Sequence, residues 1–504
     1  MQKITNKSKS LIYTSQFGFA KNIVIIAGGP HMDHVGSQVI QNIKSQDPEF
    51  KFFGIGGPKM QEAGLEQNYA DINKFLHKPL YPYKNFRHFH IERPYHPVFS
   101  VYHNANRKVR NEIDKSDFFK DILEKKPDAF LCLQNDFFMN RVYNFLTDLY
   151  DINNIVRPPV FHYDRTHANQ RREFTEWLDH QFSVNPMQQI NWAKYEFPHT
   201  VVGHEGVGRA WQYLYSRNSY YNTLADNQHI YLSPENQKEI IEQLVAEERV
   251  RFRQENGLEE SQFLIYFAPG NISKEIKFSC KSFKQGIADF LKRPENINID
   301  QSHFVVVVSL PQDSSAAEIE QEVKAMNLPI QVVFTENKYG AMAGSDCGIA
   351  HNGEITSECA ACQLPVAIVE YMPFVQSYYM QMYNNYNNEF NIMKQGEIQQ
   401  ELVGTSNTPF RIQEELSNMR DPKFRYYVAD ELAHMLYRMV PNSNKIAGQE
   451  LTQGDQTFVR HSYTYNTMAT KIVESANVYN LSDKQAPHYK LKEIRSDLIK
   501  KAIA

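Results

Sequence analysis

Residues 345–371, SDCGIAHNGEITSECAACQLPVAIVEY, carry the arrangement with the clearest chemical potential in this 504-residue chain. A short apolar run, Asp346 to Ala350, ends at Asn352-Gly353. Thr356, Ser357 and Glu358 then fall in the first turns of a helix, and a second apolar run covers Leu364 to Val369. This is half of a βαβ unit. The unpaired backbone N–H groups of such a helix start, with the helix dipole behind them, suit an anion such as a diphosphate. Any Rossmann-type crossover also places a glycine there for its turn alone, so the segment by itself leaves both readings open.

Other motifs fall in a fixed order around it. They are Ala27-Gly28-Gly29-Pro30-His31-Met32-Asp33-His34-Val35-Gly36, Phe52-Phe53-Gly54-Ile55-Gly56-Gly57-Pro58-Lys59-Met60-Gln61 with Gly64, and Lys126-Pro127-Asp128. After these come His162-Tyr163, Val202-Gly203-His204 and Ala268-Pro269-Gly270. The ordered set, spanning roughly residues 22 to 405, resembles the bacterial lipid-A-disaccharide synthase family. In that family the first segment reads S-D-A-x-x-x-S-G-T-A-x-L-E, and the others read F-x-G-x-x-G-P-x-M-x-x-x-G, K-P-D, H-Y-V, x-G-H-P and L-P-G-S-R. The resemblance implies an α/β chain of the GT-B fold, with two Rossmann-like domains whose parallel sheets face an interdomain cleft. It also implies transfer of a sugar from a UDP donor to a lipid acceptor.

Such a transferase needs a base near the acceptor hydroxyl, support for the leaving diphosphate and contacts to uridine. The resemblance supplies few of these. Where the family carries G-E-x-S-G-D, this chain keeps Gly28, Asp33 and Gly36 but has Gly29, His31 and Met32 at the glutamate, serine and second glycine. The family's I-D-A-P-D-F, whose first aspartate is the expected base, corresponds to Leu133-Gln134-Asn135-Asp136-Phe137-Phe138. An amide at Gln134 cannot accept a proton at neutral pH. Asp136 and His31 are the candidate bases if the chain is active. The S-P-S-V-W-A-W that follows H-Y-V is replaced by Asp164-Arg165-Thr166-His167-Ala168-Asn169.

On the donor side, G-S-R-x-x-E becomes Gly270-Asn271-Ile272-Ser273-Lys274-Glu275, and Lys274 does not reproduce a guanidinium fork. S-G-T becomes Asn352-Gly353-Glu354, which sets a carboxylate close to the diphosphate position. Two like charges at roughly 4–5 Å cost on the order of 1–4 kcal/mol, depending on the local dielectric. The positions retained as nucleotide or sugar contacts are Gly28, Asp33, Gly36, Gly203, His204, Pro269, Gly270, Asn271, Asn352, Gly353, Glu358 and Asn391. Losses concentrate at functional positions while glycines and apolar strands persist.

The elements that would hold these residues follow from periodicity. Strand-like runs at Asn22–Ala27, Phe52–Gly56, Ala129–Leu133, Val160–Tyr163, Gln181–Val184 and Thr200–Gly203 alternate with helical patterns. A second series lies at Phe263–Ala268, Phe304–Leu310, Ile330–Thr335, Gly348–Ala350 and Val366–Val369. The expected organisation is a basic leader or arm at 1–21, an N-terminal Rossmann-like domain at 22–215 with an insertion at 77–107, and a helical linker at 216–261. A C-terminal donor-type domain at 262–439 and an extension at 440–504 complete it.

Composition sets further bounds. With 42% hydrophobic and 22% charged residues the chain can bury two cores, and a formal charge of −4 gives no footprint for nucleic acid. Five cysteines in largely apolar surroundings suit a reducing compartment. Cys359 and Cys362 form a CxxC without the second pair that a structural zinc requires, so they read as small helix residues. Histidines 88, 90, 96 and 103 lie in the aromatic insertion without interleaved cysteines or carboxylates at ligand spacing, and read as part of a packed or docking loop. No metal or cofactor is expected. No window approaches the roughly 18 apolar residues of a membrane span.

Residues 1–21 hold four lysines and no acid, like a mitochondrial leader without its arginines or a basic disordered start. The closing basic amphipathic segment suits a partner groove or an anionic lipid surface as well as it suits a solvated cap. The leading expectation is a lipid-A-disaccharide-synthase-like protein without transferase activity, serving as a subunit of a mitochondrial inner-membrane respiratory or ATP-synthase assembly, with other protein subunits as partners. The alternatives are an active UDP-sugar glycosyltransferase using UDP-2,3-diacylglucosamine and lipid X, and a non-catalytic nucleotide- or lipid-binding module.

Overall fold

The computed structural model describes residues 21–27, 30–71, 116–133, 157–164, 178–184, 197–219, 234–311, 315–371, 388–394, 396–403, 409–439, 445–446, 449–450 and 462–481. Gly28, Gln134, Asp136, residues 165–169, the insertion 77–107 and the leader 1–20 lie outside the described residues, as does the side chain of His31.

The first lobe is built on a seven-stranded sheet. Its strands are β1 (Lys21–Ala27), β2 (Phe50–Gly56), β3 (Leu65–Asp71), β4 (Ala129–Leu133), β5 (Val160–Asp164), β6 (His180–Ser183) and β7 (His199–Val201). They lie in the order β3-β2-β1-β4-β5-β6-β7, and every pairing is parallel. The second lobe has six strands: β8 (Phe263–Ala268), β9 (Phe304–Ser309), β10 (Gln331–Thr335), β11 (Cys347–His351), β12 (Val366–Glu370) and β13 (Glu401–Val403). Their order, β10-β9-β8-β11-β12-β13, is again parallel throughout. Both sheets run outward from a central first strand in opposite directions, which is the doubly wound Rossmann pattern. Two such domains are the GT-B architecture that the motifs imply.

Ile23 to Ala27, Ala129 to Leu133 and Phe263 to Ala268 are buried, as continuous apolar runs in a parallel sheet covered on both faces should be. Within these two sheets the strands absent from the sequence reading, β3 and β13, are edges. Leu65–Asp71 is LEQNYAD, polar enough to protect an open edge from further pairing.

Two details of the chain path differ from the expected layout. The helix Glu205–Ser216 follows the first sheet, yet Val207, Ala210, Trp211, Leu214 and Tyr215 belong to the core of the second lobe. Val202 belongs to the first. The chain therefore changes cores between Val202 and Val207, ahead of the expected boundary at 215. The helix Ser462–Leu481, in the extension 440–504, returns to the first lobe, where Tyr465, Met468, Ala469, Ile472 and Ala476 are buried in its core.

The linker helix Pro234–Glu255 is fastened to the second sheet through Asp346, just before β11. Asp346 accepts from Arg249 at 2.6 Å, from Arg253 at 2.9 Å and from the backbone N–H of Leu264 at 2.8 Å. Asp346 in the Ser-Asp of the donor segment thus works at the amino end of its strand, a strand's length from the glycine turn. Among the described residues no helix is long and apolar enough to cross a membrane.

Candidate functional site

The carboxyl end of β11 leads through Asn352 and Gly353 into the helix Glu354–Ala361, as the segment's spacing predicts. Gly353 has φ 155° and starts the helix without a side-chain cap. Asn352 donates to Glu370 at the end of β12, 2.8 Å away, and Thr356 Oγ1 donates to the Gly353 carbonyl at 2.7 Å. The turn is therefore closed by its own side chains.

Glu358, one turn into the helix, is 1% exposed. Its carboxylate accepts from Lys338 Nζ at 2.7 Å on both oxygens, from Tyr339 Oη at 2.9 Å and from Arg209 Nη2 at 3.2 Å. Arg209 also pairs with Glu354 at the helix start. Burial alone would depress the Arg209 pKa, but Glu354 and Glu358, joined by Tyr339 and Tyr465, hold the guanidinium above its ordinary value. Burial first, and the Glu358 charge second, push the Tyr339 phenol up, so it stays a donor. Two cations thus meet two carboxylates in one largely desolvated cluster. A buried carboxylate tolerates such a place only when paired.

Glu354 is seated by geometry as well as charge. Gly206, in the first turn of the helix Glu205–Ser216, lies against it, and a Cβ there would stand 2.9 Å from Glu354 Cγ and 3.1 Å from Oε1. The carboxylate expected to repel a diphosphate is matched by a cation from the crossing helix. It remains the anion at that helix start.

At the second glycine turn, after β8, Gly270 has φ 109° and the helix Ser273–Leu291 begins. Glu275 reaches back to accept from the backbone N–H groups of Asn271 and Ile272, both at 3.3 Å, while Pro269 and Gly270 shape the turn. Ile272 is the N-cap residue and supplies no cation. Here, unlike at Gly353, a side chain of this chain takes free N–H groups.

Gly203 has φ 81°, the left-handed conformation that favours glycine, and His204 follows as the N-cap of the crossing helix. His204 Nδ1 accepts from the N–H groups of Gly206 at 3.1 Å and Val207 at 3.3 Å. Glu205, fully buried where the family has proline, accepts from Tyr163 Oη at 2.8 Å.

In the first lobe Asp33 is 2% exposed, and its carboxylate caps the helix Pro58–Ala63. It accepts from Gly57 N at 2.8 Å, Met60 N at 3.0 Å and Lys59 N at 3.1 Å. A Cβ on Gly36 would lie 2.6 Å from Met60 Sδ and 3.1 Å from Leu133, so Gly36 admits Met60 to the core. Met32 is buried in that same core. His34 meets the ring of Tyr465 edge-on at 6.5 Å between centroids. Asn391, also fully buried, binds backbone and Glu401: its amide donates to the Gln399 carbonyl at 2.7 Å and to Glu401 at 2.8 Å, and its oxygen accepts from Ile398 N and Gln399 N.

The structure thus gathers Gly203, His204, Asn352, Gly353 and Glu358 around the crossing helix. Pro269, Gly270 and Asn271 lie at a neighbouring turn, where a Cβ on Gly270 would stand 3.3 Å from His351. It engages Asp33, Gly36 and Asn391 in caps and packing. Arg209, Lys338, Tyr339 and Tyr465 had no motif to announce them. Among the described residues no group of three or more histidines, cysteines or carboxylates could hold a metal ion.

Comparison with known proteins accords with the motif order. A family model described as lipid-A-disaccharide synthetase matches residues 23–75 and 239–444. The lipid-A-disaccharide synthase of Rhodospirillum centenum is 23% identical over 402 residues, 77% of this chain and 82% of that protein. That of Rickettsia typhi is 23% identical over 368 residues, 72% and 78% of the two chains. Among solved structures, a UDP-GlcNAc 2-epimerase from Neisseria meningitidis bound to UDP-GlcNAc aligns with TM-score 0.45 and 11% identity over 90% of this chain and 99% of that one. Acinetobacter baumannii MurG aligns with TM-score 0.44 and 12% identity over 83% and 94%. On the extent of the family match, this chain belongs to the lipid-A-disaccharide synthetase family.

Proposed function

We propose that this family member has given up glycosyl transfer and serves as a structural or accessory subunit of a membrane-associated assembly. The single observation that carries this reading is the ion cluster at the donor-type helix. Glu358, one of the positions retained as nucleotide or sugar contacts, is 1% exposed and held by Lys338, Tyr339 and Arg209, while Glu354 supplies the anion at the helix start. A UDP donor would have to displace a satisfied internal carboxylate and leave Arg209 and Lys338 to be paired again. Ile272 offers no cation in exchange. The lysine-bearing, acid-free residues 1–21 support a mitochondrial setting for that assembly, and a respiratory or ATP-synthase complex of the inner membrane is the one proposed.

Isothermal calorimetry with millimolar UDP tests the reading. The expected result is no heat of binding, no UDP released from UDP-2,3-diacylglucosamine in the presence of lipid X, and co-purification with a large membrane complex. Release of UDP would instead establish an active transferase, with Asp136 or His31 as its base. Heat without turnover would establish a nucleotide-binding module.

A further inference from the structure

The helix Ser273–Leu291 of the second lobe is charged on one side only. Its inner face, Ile276, Cys280, Phe283, Ile287 and Phe290, is buried in that lobe's core. Its exposed positions are Lys274, Lys277, Lys281, Lys284 and Gln285, and Lys292 follows as the exposed C-cap residue. Successive spacings of three and four residues keep the helical lysines on one face. At the α-helical rise the row from Lys274 to Lys292 is about 27 Å long.

Neither acid of the helix lies among its exposed positions. Glu275 turns back onto the N–H groups of Asn271 and Ile272, and Asp289 accepts from Gln285 at 2.9 Å. Lys277 comes no nearer than 3.9 Å to Glu322, and among the described residues Lys274, Lys281, Lys284 and Lys292 form no ion pair. The neighbouring helix Ser315–Met326, by contrast, mixes Glu318, Glu320 and Glu322 with Lys324. Two exposed apolar side chains flank the row. Phe410, 58% exposed, follows Pro409, whose carbonyl oxygen would stand 3.2 Å from a Cβ on Gly286. Ile297, 63% exposed, comes shortly after Lys292.

We propose that this lysine row docks the chain on an anionic lipid bilayer surface, with Phe410 and Ile297 entering the headgroup layer. Lysine is a compact point charge on a flexible stem, without the fork that reads a fixed carboxylate or phosphate. A long row of such charges suits a sheet of mobile lipid phosphates, which rearrange to meet it. Protein interfaces are depleted of lysine and enriched in arginine, the opposite of this face. Exposed apolar side chains beside a basic row are what interfacial binding adds to charge attraction. This docking deepens the membrane-associated reading and rests on it for the presence of a bilayer; it does not need the chain to be inactive.

Sedimentation of the full-length chain with vesicles tests the docking. The native chain binds vesicles of phosphatidylcholine and phosphatidylglycerol in equal parts, not phosphatidylcholine alone, and binding weakens as salt is raised. Each lysine near such a surface contributes about a fivefold gain in partition, so Lys277→Gln/Lys281→Gln/Lys284→Gln binds about a hundredfold more weakly. Glutamine is a good helix former, and an unchanged Tm checks that the fold is kept. Where the triple variant unfolds, Lys281→Gln/Lys284→Gln is read instead, with a loss of about twenty-five-fold. Lys51→Gln/Lys59→Gln/Lys120→Gln removes the same charge from exposed positions of the first lobe and binds like the native chain. A native chain that stays in the supernatant, equal losses in the two triple variants, or no loss in the row variant overturns the docking. A row variant that drops out of its complex while the native chain ignores vesicles assigns the row to an acidic protein and overturns it as well. UDP heat with intact vesicle binding would remove the non-catalytic reading and leave the docking standing; silent calorimetry without vesicle binding would do the reverse.

Discussion

Glu358 is where a ligand role and a structural role give opposite results in one experiment. Glu358→Gln keeps the side-chain volume and removes one negative charge from a position that is 1% exposed. In the native cluster two cations, Arg209 and Lys338, face two carboxylates, Glu354 and Glu358. After the change one positive charge is left over. Removing one partner of a buried ion pair costs about 3–5 kcal/mol, because the remaining charge is desolvated without compensation. Lys338 is 34% exposed and Arg209 keeps Glu354, so the lower end, about 3 kcal/mol, is expected here. For a lobe of roughly 200 residues this lowers Tm by about 6–12 °C. Differential scanning calorimetry reads the shift, with Glu62→Gln, an exposed glutamate on the first lobe, as the control that leaves Tm in place. The double-mutant cycle is the sharper measurement: Lys338→Met should cost less in the Glu358→Gln background than in the native chain. If Glu358→Gln melts with the native protein, or the two substitutions simply add, Glu358 is not held by this cluster and the case for an internally satisfied donor helix fails.

Two further outcomes follow from the same structure. Asp33→Ala strips three backbone N–H groups of their acceptor at the start of the helix Pro58–Ala63. It should cost about 2 kcal/mol, at the upper end for a lost cap, measured by urea unfolding, and leave UDP titrations unchanged. Glu415, half-buried, has its carboxyl raised to about 7 by burial first and by the nearby Glu397 second. A group that holds its proton more tightly when folded than when unfolded stabilises the fold at low pH. That contribution is lost as pH rises from its ordinary value of 4.5 through about 7. Glu415→Gln should therefore flatten the fall in Tm across that window and melt higher than the native chain at pH 8, as thermal scans from pH 4 to 8 would show.

The interior strands were legible in the sequence because a parallel sheet buried on both faces writes itself as an unbroken apolar run, as in Phe263 to Ala268. The edge β3, LEQNYAD, was not, since the polarity that keeps an edge from pairing further also erases the pattern, and β13, Glu401–Val403, is too short to show one. Motif spacing led to the correct turns and glycines but was silent on what each residue does. Asp33 and Gly36 were marked as ligand positions by resemblance, and in the folded chain they serve one packing device centred on Met60. The cluster at Glu358 could not be read at all. Arg209 meets Glu354 and Glu358 from 145 and 149 residues away, and no local pattern records a contact at that distance.

The return of the helix Ser462–Leu481 to the first core bears on how the chain is made. A ribosome adds roughly 5–20 residues per second, and domains generally mature in the order of synthesis. Here the lobe that emerges first lacks Tyr465, Met468, Ala469, Ile472 and Ala476 until well after Leu436, the last described core residue of the second lobe, has been made. The order of maturation is thereby inverted: the later lobe closes while the earlier one waits with an apolar flank uncovered. Nascent chains stalled short of residue 462 would display that flank to holding chaperones, and synthesis of the helix Ser462–Leu481 would withdraw it.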